Sequence, residues 1–126
     1  MPWQSEMVLG VAEMDATHRA FVDLADALLA ASDAEFPALF AQLREDTRRH
    51  FENEDKLMVA CRFPATGEHR AEHLRVLGEL AFFGRGVATG RLRAAREYAR
   101  SLPGWFMTHL QTMDAALAAR LNSAAA

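Results

Sequence analysis

Two pairs of side chains with metal-binding chemistry stand at one spacing in HFENEDKLMVACRFPATGEHRAEH, residues 50–73: His50 with Glu54, and His69 with His73. Four residues of an α-helix turn about 400°, so each i,i+4 pair presents both donors from one face. Between the pairs, Pro64 cannot continue a helix and disfavours helical geometry at Phe63, while Thr66 is a good N-cap for a helix opening at Gly67. The stretch predicts helix, short turn, helix, with four ligand groups facing one another between antiparallel neighbours. The chemistry this implies is metal binding.

Three more donors come from elsewhere in the chain. His18 lies in a helix expected from about Ala16 to Ala31, capped by Asp15, on the side of Phe21, Val22 and Ala25. Alone, such a histidine is an ordinary hydrogen-bonded core residue. His109 and Asp114 are five residues apart, about 140° around an ideal helix; they share an interior only if Asp114 reaches sideways or the helix bulges into a π-type turn. All five histidines then fall on interior faces beside two carboxylates, Glu54 and Asp114. A buried carboxylate needs a partner, and a cation supplies one.

These donors exceed the four or so that one zinc takes, and a single cysteine argues against iron–sulfur and structural zinc sites. Two roughly octahedral ions offer about twelve positions, and imidazole with carboxylate suits iron, manganese or related first-row metals. If both carboxylates and one solvent-derived oxygen bridge the ions, the histidines leave one of about twelve positions open. One vacancy in an apolar pocket suits reversible binding of a small ligand such as dioxygen. Carboxylate-rich di-metal oxidases use Glu-x-x-His pairs, which are not placed that way here: Glu13 precedes His18 by five and Glu68 adjoins His69.

The elements that must position these groups follow from periodicity. Residues from Met1 to about Met14 read as a loop-like arm around Gly10, anchored by Trp3. Ser32-Asp33-Ala34-Glu35 is a capping-box sequence, with Pro37 in the first turn of a second helix. That helix carries His50 and Glu54 on its apolar stripe and leaves Glu45, Asp46, Arg48, Arg49, Glu52 and Asp55 in solvent. A third helix is expected from about Gly67 to Phe83, with Arg70, Glu72, Arg75 and Glu79 outside its stripe and Gly84, Gly86 and Gly90 marking the turn after it. The final helical region runs from about Arg91 to Leu121. Arg91, Arg93, Arg96 and Arg100 form its solvated face, and Pro103-Gly104 should break or kink it. The fold expected is all-α: an up-down-up-down four-helix bundle with an N-terminal loop arm, one domain over residues 1–126.

Composition agrees with one compact domain, since 51% of the 126 residues are hydrophobic and 25% charged. A net charge of -3 gives no electrostatic footprint for nucleic acid or an anionic membrane. Cys61 stands alone and reads as an inert thiol. The first residues lack a signal-peptide pattern and no segment has the apolar length for membrane insertion, so a cytoplasmic protein is expected.

The ordered set resembles the hemerythrin family, and within it the single-domain bacterial hemerythrins. The resemblance is carried by Trp3, Gly10-Val11, Met14-Asp15 and His18; by His50-Phe51 with Glu54, Leu57-Met58 and Phe63-Pro64; and by His69 with His73, and Trp105 with His109 and Asp114. It departs where Phe63 stands at a place often held by tyrosine, and where Pro103-Gly104 precedes the tryptophan.

The resemblance implies two non-haem iron ions bridged by Glu54, Asp114 and an oxo or hydroxo group. His69, His73 and His109 would complete one iron; His18 and His50 would hold the other, where dioxygen binds end-on as hydroperoxide. Phe21, Phe51, Trp105, Phe106, Leu110 and Met113 would wall the pocket against water. The function implied is an oxygen carrier, store or delivery protein, not an enzyme, with an electron donor or an oxygen-consuming enzyme as partner. The alternatives are an oxygen or redox sensor, which would need a separate partner to carry its signal, and a peroxidase-like di-iron enzyme. The interior acids are already ligands, and the lack of another general acid favours binding.

Overall fold

The computed structural model describes residues 2–125; Met1 and Ala126, the ends of the expected domain, lie outside the described residues. Those described form helices and no strand: α1 (Ala12–Ala30), α2 (Phe36–Ala60), α3 (Thr66–Ala88) and α4 (Arg93–His109). A π-helical segment, Leu110–Asp114, then leads into α5 (Ala115–Ala125). The helix α1 packs on α2 and α4, and α3 packs on the same two, which closes a four-helix bundle. No helix among the described residues is long and apolar enough to cross a membrane.

Along α1, α2 and the last helical stretch of the chain the polar interior is bracketed by apolar layers. The larger layer gathers Phe21, Leu28, Phe36, Phe40, Leu43 and Leu80, and the smaller one Met14, Met58, Leu117 and Ala118. His18 falls between Met14 and Phe21, Glu54 between Phe51 and Met58, and Asp114 between Leu110 and Leu117. Both layers exclude water from what lies between them.

The N-terminal arm contains a single 3₁₀ turn, Ser5–Met7, with Met7 buried. The helix α1 starts at Ala12 rather than Ala16, and Asp15 does not cap it as expected: it lies inside the first turn and holds the turn that precedes the helix. Its carboxylate accepts the backbone N–H groups of Leu9 at 2.8 Å and Gly10 at 3.2 Å, fixing a turn that Gly10 enters at φ 84°. The capping box of α2 forms as its sequence predicts: the Glu35 N–H donates to Ser32 Oγ, and the Ser32 N–H donates to Glu35 Oε1 at 3.0 Å.

The helix α2 ends in a Schellman turn. Arg62 takes φ 54°, and the Phe63 N–H donates to the Met58 carbonyl at 2.9 Å. Thr66 does not cap α3 as expected; its hydroxyl donates to the Phe63 carbonyl at 2.6 Å and so braces the turn instead. The helix α3 runs past Gly84 and Gly86 to Ala88, and the chain turns only at Gly90, where φ is 82°. Each helical glycine costs about 1 kcal/mol relative to alanine, less than burying Val87 returns. Pro103 does not break α4 either. It removes one backbone hydrogen bond, while Leu102 and Phe106 on either side of it are buried and hold the turn in place.

Candidate metal centre

The helices bring all seven donors together: His18 from α1, His50 and Glu54 from α2, His69 and His73 from α3, His109 from the end of α4, and Asp114 from the π-helical segment. All are buried, none more than 6% exposed. The extra residue of the π turn is what returns Asp114 to the face of His109; Asp114 Oδ1 lies 3.2 Å from His109 Nε2.

The two carboxylates lie across the middle of the cluster and divide it. Glu54 Oε2 lies 3.1 Å from His18 Nε2 and 2.7 Å from His50 Nε2, while its Oε1 lies 3.4 Å from His69 and 3.2 Å from His73. Asp114 Oδ2 lies 3.1 Å from His18 Nε2, and its Oδ1 lies 3.1 Å from His69. One oxygen of each acid thus lies beside His18, that of Glu54 beside His50 as well, and the other oxygen lies beside His69, with His73 on Glu54 and His109 on Asp114. Donor atoms within 4.8 Å of one another form two groups, one of Glu54, His69, His73, His109 and Asp114, the other of His18, His50 and Glu54; Asp114 meets the second through His18.

Closeness here is mostly not hydrogen bonding. The Nε2 atoms of His69, His73 and His109, Oε1 of Glu54 and both oxygens of Asp114 are buried with no hydrogen-bond partner. Atoms about 3 Å apart that do not point at each other converge on the space between them. Two donors each about 2.1 Å from one ion, at right angles around it, are separated by about 3 Å. The donor set therefore fits metal ions held from two sides.

Electrostatics make the same demand. Burial alone would lower the His18 and His69 pKa, but Asp114 and Glu54 reverse this and raise both to about 9. Burial would raise Glu54, yet the charge of His50 and the bonds of the surrounding imidazoles hold it well below the usual carboxylate range; Asp114 is lowered by His109, His18 and His69 against the same burial. With protein groups alone, the two acids draw positive charge onto the histidines. Metal cations supply that charge directly.

Two surrounding acids are invisible to periodicity. Asp55 is only partly exposed and accepts from His73 Nδ1 at 2.9 Å, which fixes that ring with Nε2 toward the cluster. It is not a solvent residue as its helix face predicts. Glu72 accepts the indole N–H of Trp105 at 2.8 Å, and the Arg75 guanidinium beside it holds its carboxyl down to about 2. Neither pairing leaves a trace in sequence spacing, because each partner comes from a different helix.

Aromatic rings surround the histidines. Phe51 stacks on His73 at 3.9 Å, Trp105 on His109 at 4.9 Å, and Phe106 meets His18 edge-on at 5.6 Å. Phe21 stacks on Phe106 at 4.8 Å. Leu110 is fully buried and Met113 half-buried, both within the π-helical segment between His109 and Asp114.

Residues 9–121 match the family described as the hemerythrin HHE cation binding domain. The chain belongs to the hemerythrin family. It is also 36% identical over 112 residues to a bacteriohemerythrin of Ralstonia nicotianae (strain ATCC BAA-1114 / GMI1000), an alignment that covers 89% of this chain and 82% of that relative. Membership in the hemerythrin family implies binding of non-haem iron, and the cluster of histidines and carboxylates between the apolar layers is where this chain could hold it.

Proposed function

We propose that this hemerythrin is a cytoplasmic dioxygen-binding protein, a carrier, store or delivery protein rather than an enzyme. Its seven donors would hold two non-haem irons bridged by Glu54, Asp114 and an oxo or hydroxo group. The observation that carries the reading is that each carboxylate turns one oxygen to His18, that of Glu54 to His50 as well, and the other oxygen to the side of His69, with His73 on Glu54 and His109 on Asp114. Such an iron pair supplies reversible electron exchange with dioxygen.

The protein's part is positioning and exclusion. Three histidines crowd one side and two the other, so room for a small ligand lies on the side of His18 and His50. Phe21, Phe51, Trp105, Phe106, Leu110 and Met113 would wall the centre as a whole, with Phe106 against His18 and Phe51 and Trp105 against His73 and His109, and a dry wall slows hydration and proton delivery. Asp55 keeps His73 in one tautomer. Glu54 and Asp114, the buried acids among the described residues, are both committed to histidines, so neither is free to serve as a general acid in turnover. This favours binding over peroxidase chemistry.

The experiment is ligand replacement with iron analysis. His18→Ala, Glu54→Ala and Asp114→Ala should each lower iron per folded chain, with the bridging acids costing more than the histidine. Unchanged iron content in all three would overturn the assignment.

A further inference from the structure

We propose that Glu72 is a positioning residue of this centre: its carboxylate holds the Trp105 indole flat against His109, where the ring closes the seam between α3 and α4. The indole Nε1–H donates to Glu72 Oε1 at 2.8 Å. Glu72 is itself held, because Arg75 donates from Nη2 to Oε1 at 2.6 Å and from Nε to Oε2 at 3.1 Å, and a third Arg75 nitrogen reaches Glu79 at 2.7 Å. A ladder of charges on the outer side of α3 thus ends on a ring of α4.

What that ring touches makes the anchor matter. Trp105 lies over His109 at 4.9 Å and 21°, and meets Phe21 and Phe51 edge-on at 6.3 Å each. His109 in turn packs against His69 at 4.9 Å and lies 3.2 Å from Asp114. Removing the Glu72 acceptor leaves a part-buried indole N–H without a partner, which turning the ring toward water would satisfy. That rotation would strip the cover from His109 and admit solvent beside Phe51. Glu72 makes no hydrogen bond to a donor of the metal cluster; its charge is felt at His109, and its one bonded link to the centre is Trp105. Arg75 fixes the carboxylate in the one orientation that meets the indole; a ladder serving only surface charge would need no such partner.

The test uses the full chain as isolated, carrying Trp3→Phe so that Trp105 is its only tryptophan. Ultraviolet resonance Raman spectroscopy reads hydrogen bonding at the indole N–H. Glu72→Ala should lose the hydrogen-bonded signature, and Glu72→Gln, whose amide oxygen still accepts, should keep it. The same signature in Glu72→Ala as in the parent overturns the proposal.

A second readout rests on the dioxygen-binding reading. At equal iron content, Glu72→Ala should shorten the lifetime of the oxygenated protein about tenfold, with Glu72→Gln restoring most of it. A freed indole with an unchanged lifetime reduces Glu72 to packing and overturns its positioning role. A parent that takes up no dioxygen overturns the functional reading instead, and the indole signature then decides the anchor by itself.

Discussion

Asp55 and Glu54 are neighbours in sequence with opposite legibility. Glu54 is readable because its spacing from His50 places a carboxylate in an apolar stripe, and a carboxylate there needs a cation. Asp55 falls one step round the helix, on the face where acids normally meet water; only the approach of α3 brings His73 Nδ1 to 2.9 Å. Glu72 and Arg96 belong with it. Arg96 reads as part of a solvated face, yet it donates to Asp33 at 2.7 Å and to the Ala31 carbonyl at 3.0 Å, and covers the Phe36 ring at 4.5 Å. Sequence periodicity reports which way a side chain faces, not which helix will meet it. The consequence for Asp55 is testable by iron release to a chelator. Asp55→Asn should lose iron about tenfold faster than the parent, because the amide no longer enforces one tautomer of His73. Glu52→Gln, on the exposed face of the same helix, should release at the parental rate.

At the scale of elements, the helices were readable, but among their ends the capping box of α2 was readable and those of α1 and α3 were not. Apolar residues at steps of three and four mark α1 to α4, but termini depend on local contacts, such as Asp15 holding the Leu9–Gly10 turn from within the first turn of α1 and Thr66 bracing Phe63. Packing also overrides punctuation, as Gly84, Gly86 and Pro103 all lie inside helices. The π turn was legible as one of two ways to bring Asp114 and His109 together, the other being a sideways reach of the aspartate from a regular helix, and the structure takes the bulge. A π turn absorbs one extra residue, so removing that residue should leave a regular helix with the pair at i,i+4 and still on one face. Deleting the exposed Thr112 should therefore preserve most iron binding, whereas inserting an alanine after Gln111 should carry the aspartate about 100° away and abolish it. Iron content of the two variants checks this; binding retained by the insertion and lost by the deletion would refute the role given to the segment.

For the whole molecule, the centre is both the function and a joint. Its donors come from every helix of the bundle, and the apolar layers on its two sides are unequal. The larger holds most of the buried aromatic rings, the smaller only Met14, Met58, Leu117 and Ala118 with a few half-buried neighbours. Taking the metal away leaves buried acids and imidazoles to be satisfied by protons and one another, and it withdraws binding free energy from the fold. The loss should fall unevenly. Hydrogen exchange should show amides of α5 and of the first turn of α1 losing protection on iron removal, while those around Phe36, Phe40 and Leu80 keep theirs. Uniform loss along the chain would mean the two layers do not act separately.

The central claim, reversible dioxygen binding at two irons, is most directly tested by iron content together with the visible spectrum of the reduced protein before oxygen, after oxygen, and after oxygen is withdrawn. The division of Glu54 and Asp114 predicts two irons per chain and an absorption band that appears with oxygen and disappears when it is removed. Two irons that oxidise on first exposure and never return to the colourless form would contradict it.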